Sequence, residues 1–409
     1  MTGSTEFTGY KWTGLSSFSK GSFWHRRAQS FLTSVNWEAL CDYASSLYDG
    51  KRCVIEPEIA LGGRHMVRIV QFEDKTRWIA RLRMPACDNA GEHNKDVDEY
   101  DAADDLSKRE FDCLQLVKER TTVPVPTVFG YMAGSQSKIG ASVILMECLP
   151  GNVGTDLNFD FIPSEHKSAF FEEMARIQTE ISSLLFRKIG SIIRREDGSY
   201  DIGPIPGLGG PFKTATEYFK AWAATVQFPH SEAFIKESCG DLGARIATST
   251  AEFPRKISKL TDRLVMQDTG PFPLCHVDFG HNNIIVDDNY KILGVIDWEH
   301  AFAAPWETLE FPLTLNMVPA AMDAPWNYDE RGMPRDEKTR ERLVEREDYI
   351  AAVARAEKST PALPMLSSML KNQRVQDLAT AMRLFASEGK MGFYSEILDV
   401  HYGVNGRGE

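Results

Sequence analysis

The segment 274–299, LCHVDFGHNNIIVDDNYKILGVIDWE, contains the side chains of this chain whose types and spacing best suggest chemistry. Asp278 comes two positions after His276, Asn283 follows Asp278 by five positions, and Asp297 ends a later apolar run. Carboxylate and amide oxygens are the ligands that Mg²⁺ prefers, and a carboxylate beside a hydroxyl group can accept its proton. One base (Asp278) and two metal ligands (Asn283 and Asp297) are what phosphoryl transfer requires.

A β-hairpin is predicted to bring the two metal ligands together. The runs IIVD and YKILGVID are rich in β-branched residues and flank the turn-forming pair Asp288–Asn289. Because a tight hairpin makes its outer ends neighbours, Asn283 and Asp297 should lie at the same open end. Asp278 should lie in the loop just before it, where His276 is expected to orient the backbone rather than to transfer a proton.

The order of these residues resembles the signature of the aminoglycoside phosphotransferase and choline-kinase-like superfamily, HGDxxxxNxxxD followed by IDWE or IDFE. The match is carried by His276, Asp278, Asn283, Asp287, Asp297 and Glu299. The chain departs from the signature at Val277, where the family usually has Gly, and at Asn282. The resemblance spans roughly residues 50 to 320, and the whole chain is similar to a mostly uncharacterised fungal branch of the superfamily.

An ATP-binding lobe is expected upstream of this segment. The run VIEPEIALGGRHMVRIVQFEDKTRWIARLRMP alternates apolar and polar residues with two turn-forming breaks, which predicts three antiparallel strands. Gly62 and Gly63 are a candidate nucleotide loop, because glycines let backbone N–H groups approach phosphate, although such a pair is usually only a turn. Arg81 stands where kinases carry the Lys that holds the α- and β-phosphates; the alternative is an arginine on a solvated strand face.

The next elements are expected to support Arg81 and the adenine ring. The run LSKREFDCLQLVKER predicts a helix that the following prolines end, and Glu110 on it is the predicted ion-pair partner of Arg81. Two further strands then lead to Pro150–Gly151. The resemblance implies that this is the hinge, where Met146, Glu147, Cys148 and Leu149 meet the adenine.

The chain beyond Gly151 is predicted to be mostly helical. The resemblance implies that the acceptor binds between this helical part and the catalytic loop, with Asp278, Trp298 and Glu299 facing it. Tyr218, Phe219 and Trp222 are possible walls of the acceptor site, although aromatic residues at helical spacing more often form helix core.

These elements predict an α+β, bilobal, protein-kinase-like fold with three regions. Residues 1–50 form an N-terminal helical extension, residues 51–150 the ATP-binding lobe with an acidic insertion at 86–108, and residues 151–409 a helical lobe that contains 274–299. Eight carboxylates fall between Asp88 and Asp105, which favours a solvated loop. The alternative is an acidic flap near the cleft that favours a cationic acceptor.

Composition limits the partners and the compartment. The 409 residues carry a formal net charge of −12 and no continuous basic stretch, which argues against a nucleic-acid or anionic-membrane partner. No apolar run is long enough to span a bilayer, and the N-terminus lacks the pattern of a signal peptide. Seven cysteines without CxxC spacing indicate reduced thiols and a cytoplasmic protein.

The sequence therefore predicts an ATP- and Mg²⁺-dependent phosphotransferase that acts on a hydroxyl group of a small molecule. An aminoglycoside-like compound, an amino alcohol and a secondary metabolite all stay open as acceptors, as does the oligomeric state. Two alternatives also stay open, since Arg81 replaces the usual Lys and the glycine loop is short. One is a nucleotide-binding pseudokinase, and the other is an enzyme that uses the same fold for a different tailoring reaction.

Overall fold

The computed structural model describes residues 7–12, 14–85, 98–134, 137–157, 162–360 and 365–403, without the side chains of 98–104. The chain forms two compact units. The first consists of residues 1–170, 193–200 and 281–301, and the second of residues 171–192, 201–280 and 302–409. The predicted boundaries at 50 and 150 stay a prediction.

The described part of the chain contains strands and helices throughout. The strands are β1 (Cys53–Leu61), β2 (His65–Phe72), β3 (Arg77–Arg83), β4 (Val128–Met132), β5 (Val143–Glu147), β6 (Asn152–Val153), β7 (Leu185–Phe186), β8 (Gly190–Arg194), β9 (Tyr200–Gly203), β10 (Phe272–Cys275), β11 (Ile284–Val286), β12 (Ile292–Val295) and β13 (Phe302–Ala303). The α-helices are α1 (Phe23–Ser34), α2 (Trp37–Leu47), α3 (Asp98–Arg120), α4 (Ser164–Ser182), α5 (Ala215–Thr225), α6 (Glu232–Ser238), α7 (Gly243–Leu264), α8 (Glu337–Lys358), α9 (Leu366–Lys371), α10 (Gln373–Arg383) and α11 (Tyr394–Tyr402). A π-helical turn, Leu384–Glu388, follows α10.

A five-stranded antiparallel sheet is the centre of the first unit. Its strand order is β1-β2-β3-β5-β4, so the three predicted strands and the two strands before the hinge are confirmed. Alternation puts Trp78, Ala80 and Leu82 on the buried face of β3, as expected for a half-buried strand. Arg81 therefore lies on the opposite face, which is the face that the predicted nucleotide requires.

The N-terminal helices pack on the buried face of this sheet. Phe31 of α1 and Leu40 of α2 are in the same apolar core as Val70 and Trp78. Ser22 caps α1 by accepting a hydrogen bond from a backbone N–H group, and such a cap stabilises a helix by about 1 kcal/mol. The helical extension is thus a structural part of the sheet's core.

Helix α3 begins earlier than predicted. Its first residue is Asp98, so residues 98–108 of the acidic insertion are helical instead of forming a loop. Residues 86–97 of the insertion lie outside the described residues.

The predicted hairpin of the catalytic segment is confirmed. Strands β11 and β12 pair antiparallel, with Ile284 opposite Val295, and β6 adds a third strand. Asp287 closes the turn because its carboxylate accepts hydrogen bonds from the N–H groups of Asn289 and Lys291. The pairing brings the outer ends of the hairpin together within the first unit.

The second unit is mainly helical, which confirms the predicted fold class. Helices α5, α7, α10 and α11 share one apolar core that includes Phe253, Phe385 and Tyr394. A small sheet of order β7-β10-β13-β8-β9 accompanies them, and its strand β10 leads into the loop that carries Asp278. Within the described residues, no helix is long and apolar enough to cross a membrane.

Candidate active site

The loop after β10 holds Asp278 in a strained turn. The N–H group of Asp278 donates to the carbonyl of His276 at 2.8 Å, which closes a three-residue turn around Val277. Val277 has a φ of +68°, in the left-handed region that β-branched residues avoid. His276 is buried, with 3% of its surface exposed. Strain of this kind is typical of functional sites, where the surrounding structure imposes it.

The two predicted metal ligands lie at the open end of the hairpin. The carbonyl of Asn283 accepts a hydrogen bond from the N–H group of Ile296 at 2.9 Å, and Asp297 follows directly. Asp297 has a φ of +66°, a conformation that aspartate tolerates better than most residues. The side chain of Asn283 is buried, whereas that of Asp297 is 30% exposed. A carboxylate and an amide oxygen suit Mg²⁺, which keeps its other positions for water and phosphate.

One guanidinium group connects the sheet, helix α3 and the hairpin. Arg81 Nη2 donates to Asp297 Oδ1 at 2.6 Å, and Arg81 Nε lies 3.2 Å from Glu110 Oε2. The predicted ion pair of Arg81 with Glu110 is therefore present, and Asp297 is a second partner. Burial opposes the charge of Arg81, but the Asp297 and Glu110 carboxylates outweigh it and raise the pKa of Arg81. Arg81 therefore stays cationic.

The ionised form of the Glu110 carboxyl is stabilised by the Arg81 guanidinium. The residue is 1% exposed, and burial raises its pKa, an effect that the carboxylates of Asp297 and Glu299 reinforce and Arg81 opposes. Arg81 Nε and Glu110 Oε2 are both buried without a hydrogen-bond partner, although they are close enough for an ion pair. An arginine presents several N–H groups in one plane, so a guanidinium can pair with more than one anionic group.

The glycine pair contributes space rather than a special backbone conformation. A Cβ atom added to Gly63 would meet no atom within 4 Å, and one added to Gly62 would meet only the His65 carbonyl at 3.7 Å. Neither residue has a positive φ. The loop between β1 and β2 thus leaves room for a phosphate group, but its backbone geometry does not require glycine.

Glu299 has a structural role in the first unit that the sequence did not predict. It accepts a hydrogen bond from Arg83, lies 3.5 Å from Arg64 Nη1 and lies 3.9 Å from His65 Nε2. Burial alone would raise the pKa of Glu299, but the hydrogen bond with His300 and the surrounding cations hold it well below its ordinary value. Through these polar contacts, Glu299 connects the segment after Asp297 to β3 and to the loop between β1 and β2.

Trp298 is not placed to contact an acceptor. Its side chain is fully buried, and its indole N–H group donates to the carbonyl of Val295 at 3.0 Å. Its neighbour Glu299 is occupied by the ion pairs with Arg64 and Arg83. The prediction that Trp298 and Glu299 face the acceptor is therefore corrected, because both serve the internal packing and charge balance of the first unit.

The predicted hinge has an unforeseen partner near the N-terminus. The hydroxyl of Tyr10 donates to the carbonyl of Leu149 at 3.2 Å and lies 3.0 Å from Cys148 Sγ. Met146 is buried, and the Glu147 carboxylate accepts a hydrogen bond from a backbone N–H group at 3.0 Å. Burial raises the pKa of Tyr10, so its hydroxyl stays protonated as a donor. No motif in the sequence indicated this contact, since the segment around Tyr10 is far from the hinge along the chain.

Within the described residues there is no group of three or more His, Cys, Asp or Glu side chains arranged to hold a metal ion. The candidate Mg²⁺ ligands, Asn283 and Asp297, are instead one amide and one carboxylate. That donor set fits an ion that shares its remaining positions with the phosphate oxygens of a nucleotide.

Several solved structures are similar to this chain in fold. The chain resembles a candidate aminoglycoside phosphotransferase of Ralstonia eutropha with a TM-score of 0.50 and 13% identity, covering 86% of each chain. It also resembles an ethanolamine kinase of Plasmodium vivax, with a TM-score of 0.44, 12% identity and coverage of 90% of this chain and 88% of that one. A macrolide 2′-phosphotransferase of Brachybacterium faecium gives a TM-score of 0.40 and 14% identity, covering 91% and 99%.

No curated protein matches the chain in sequence. The model of the phosphotransferase enzyme family, in contrast, matches residues 68–307, which is more than half of the 409 residues. The matched part begins in β2 and includes Arg81, Glu110, Asp278, Asn283 and Asp297. The chain therefore belongs to the phosphotransferase enzyme family.

Proposed function

We propose that the protein is an ATP- and Mg²⁺-dependent kinase that phosphorylates a hydroxyl group of a small molecule. The main support is the contact of the Arg81 guanidinium with both Glu110 and Asp297. This arrangement joins a phosphate-binding cation, its helix partner and a metal-binding carboxylate, which are the parts that phosphoryl transfer uses. The unpaired cysteine thiols of the described residues support the cytoplasm as its compartment.

Asp278 is the proposed general base. Its carboxylate would orient the acceptor hydroxyl and accept its proton while the oxygen attacks the γ-phosphate. The turn around Val277 and the buried His276 hold the backbone of this residue. Positioning of this kind lowers the barrier because the reacting groups no longer have to find each other by diffusion.

Arg81 and Glu110 would act on the phosphate side. Arg81 would bind the α- and β-phosphates, and Glu110 would hold its guanidinium in place. Because an arginine presents several N–H groups in a fixed plane, Arg81 can keep its carboxylate partners while it binds phosphate. Gly62 and Gly63 leave room for the phosphates, and Met146, Glu147, Cys148 and Leu149 would contact the adenine.

Asn283 and Asp297 would hold Mg²⁺. The ion would supply positive charge that neutralises part of the phosphate charge. Asp297 pairs with Arg81, so this carboxylate would interact with both the guanidinium and the ion. The backbone carbonyl of Asn283 accepts a hydrogen bond from the N–H group of Ile296. This hydrogen bond fixes the backbone from which the amide side chain of Asn283 extends.

The proposal is tested by a screen of small alcohols with ATP and Mg²⁺, in which a mass gain of one phosphoryl group identifies the product. With any acceptor found, Asp278→Asn should lower kcat by at least about 100-fold, since general base catalysis contributes about 10²- to 10⁴-fold. The matched control is Asp262→Asn, which removes an exposed carboxylate on α7 of the same unit and should leave kcat unchanged. An Asp278→Asn enzyme as active as the wild type would refute the assignment of the base.

Calorimetry separates the alternatives. A kinase should bind ATP in a Mg²⁺-dependent manner, and Asp297→Asn should weaken this binding. A pseudokinase would bind nucleotide but would transfer phosphate to no acceptor of the screen. An enzyme with a different tailoring reaction would bind no metal–nucleotide complex, and that result would overturn the proposed function.

A further inference from the structure

A cavity of about 230 Å³ lies entirely within the second unit, beside the catalytic loop. Its walls come from the end of α4, from α5, from β10 and the loop after it, from residues 308–311, and from α10 with the π-helical turn. His276 and Val277 are part of the wall, and Asp278 is the next residue of the chain. The cavity therefore lies beside the loop that carries the proposed base.

Among the described residues of the lining, Glu310 is the one carboxylate, and its charge is already neutralised. Glu310 accepts hydrogen bonds from Thr380 Oγ1 at 2.7 Å and from Arg383 Nε at 3.0 Å, so both of its oxygens are occupied. Arg383, the only Lys or Arg in the lining, also donates to Glu388 at 2.7 Å. The two charges of the wall thus cancel each other, and neither is left to bind an ionic group of a ligand.

Four other polar side chains of the wall make hydrogen bonds within the protein. Gln178 donates to the carbonyl of Glu310 at 2.8 Å and accepts from Tyr349 at 2.8 Å. The hydroxyl groups of Ser182, Thr308 and Ser387 each donate to a backbone carbonyl. Satisfied groups of this kind contribute little to ligand binding, because a new hydrogen bond would replace an existing one.

Aromatic and aliphatic surfaces make up most of the remaining wall. Tyr218, Trp222, Phe279, Phe302 and Phe311 all contribute to it. The ring of Tyr218 stacks on that of Phe302, with 6.0 Å between their centroids. Two of the three aromatic residues suggested as possible walls, Tyr218 and Trp222, therefore line the cavity, whereas Phe219 is fully buried in the helix core.

We propose that the acceptor is an uncharged alcohol whose ring system occupies this cavity, with its hydroxyl group directed to Asp278. This inference rests on the proposed function and specifies its substrate class. An apolar cavity of about 150 Å³ in another protein binds benzene, so 230 Å³ is enough for one or two rings. A protonated amine would lose its hydration here without gaining a carboxylate, which costs several kcal/mol.

This inference replaces the cationic acceptor that the acidic insertion suggested. Residues 86–97 of that insertion lie outside the described residues. Among the described residues of the cavity wall, the carboxylate is that of Glu310, which is already paired with Arg383. Polycationic acceptors with amino groups on every ring are the class that this wall disfavours most.

Two alcohols of nearly equal shape test the inference. Cyclohexylmethanol is neutral, and 4-piperidinemethanol carries a protonated ring nitrogen at neutral pH. Saturation-transfer NMR on the full-length protein with ATP and Mg²⁺ measures binding of each without requiring turnover. We expect the neutral alcohol to bind at least about tenfold more tightly, because only the cation is desolvated without a partner. Tighter binding of the cation, or binding of neither alcohol, would overturn the inference.

A substitution at the rim shows where the alcohol binds. Ala386 lines the cavity but is exposed, so Ala386→Trp should narrow the cavity without disturbing the core. We expect it to weaken binding of cyclohexylmethanol by at least about tenfold, with ATP binding unchanged. Ala351→Trp, at an exposed alanine of α8 outside the cavity, is the matched control and should bind the alcohol as the wild type does. Equal binding by both variants would refute the site.

A carboxylate at the same position tests the charge argument. Ala386→Glu should shift the preference toward 4-piperidinemethanol by at least about tenfold, whereas Ala351→Glu should not. An unchanged preference in Ala386→Glu would count against the inference.

Failure of the proposed function is distinguishable from these outcomes. In that case the neutral alcohol would still bind in the cavity, but no alcohol of the screen would gain a phosphoryl group.

Discussion

The charged cluster of the first unit and the apolar cavity of the second unit follow opposite physical rules. In the cluster, Arg81, Glu110 and Glu299 are nearly completely buried and are stabilised only by one another and by their ionic neighbours. In the cavity, one internal ion pair between Glu310 and Arg383 cancels the charge of the wall. Under the two proposals, the first region binds a highly charged molecule and the second an uncharged one.

This difference reflects what each half of the proposed reaction has to recognise. A nucleotide triphosphate presents a fixed arrangement of negative charge, and a buried arginine with two carboxylate partners can bind it at a defined position. An acceptor alcohol has no fixed charge pattern, so packing against ring surfaces determines which molecule binds. Substitutions in the two regions should therefore change different quantities.

The largest effect is expected at Arg81. Arg81→Met removes the cation and leaves Glu110 buried without its partner, which should lower the free energy of unfolding by about 3–5 kcal/mol. The double variant Arg81→Met/Glu110→Met should recover most of this stability, since an apolar pair can replace a buried ion pair. Its kcat/KM should nevertheless stay at least about 100-fold below that of the wild type, because the phosphate-binding cation is absent.

Urea denaturation and steady-state kinetics measure these two quantities separately. Arg77→Met is the control on the same strand, since Arg77 is 47% exposed and its ion pair with Glu56 contributes at most about 1 kcal/mol. It should change neither stability nor kcat/KM appreciably. A double variant with wild-type kcat/KM would show that Arg81 is only a structural residue. The charged cluster would then have no role in binding the nucleotide.

The next effect concerns the ion pair of the cavity wall. Glu310→Gln keeps the shape of the side chain but removes the charge that neutralises Arg383. We expect the free energy of unfolding to fall by about 1–3 kcal/mol, because the mostly buried Arg383 loses one of its two charged partners and keeps only Glu388. The KM for ATP should not change, whereas the KM for the acceptor should rise. A change in the KM for ATP alone would contradict the separation of the two regions.

How far the sequence predicted these regions depends on how local their residues are. The hairpin with Asn283 and Asp297, and the pairing of Arg81 with Glu110, were predictable because short motifs and strand periodicity mark them. The cavity was not predictable as a whole, since its wall combines residues as distant as Gln178 and Arg383. Helical spacing at residues 218–222 indicated an aromatic face, but it could not distinguish a cavity wall from a core.

Other contacts had no local signal at all. Tyr10 reaches the hinge carbonyl of Leu149 across a separation of 139 positions. Arg83 binds Glu299, a residue that the family signature suggested for the acceptor instead. Such contacts depend on how the elements pack, which neither residue type nor spacing specifies. They are also where the sequence-based prediction of the acceptor residues was wrong.

A smaller effect is expected at Val277, the residue that departs from the family signature. Its φ of +68° is strained for a β-branched side chain, by about 1–3 kcal/mol, and glycine adopts this conformation without strain. Val277→Gly should therefore raise the free energy of unfolding, although by less than the full strain, because glycine also gains freedom in the unfolded chain. Removing part of the cavity wall should raise the KM for the acceptor but not for ATP.

Val344→Gly is the matched control for this substitution. Val344 is 63% exposed on α8, and glycine in a helix should lower stability by up to about 1 kcal/mol. Opposite signs of the two stability changes, measured by urea denaturation, would confirm that Val277 is strained. If Val277→Gly also lowers stability, the turn at Asp278 is not under strain and the valine contributes favourable packing.

The smallest effect is a pH dependence that should belong to the charged cluster alone. His65 is 7% exposed, and burial, together with the cation of Arg81, holds its pKa well below the ordinary value. Below about pH 6.5 the unfolded chain binds a proton at this residue that the folded protein does not bind, so stability falls as the pH falls. The loss is at most about 1.4 kcal/mol per pH unit.

Denaturation curves between about pH 7.5 and about pH 5.5 should show this part of the loss in the wild type but not in His65→Gln. His230→Gln, in the second unit, should keep the wild-type dependence, since His230 lies outside the charged cluster. If His65→Gln lost stability in parallel with the wild type, acid sensitivity would not come from the buried histidine. The charged cluster and the apolar cavity would then differ in what they bind but not in how they respond to pH.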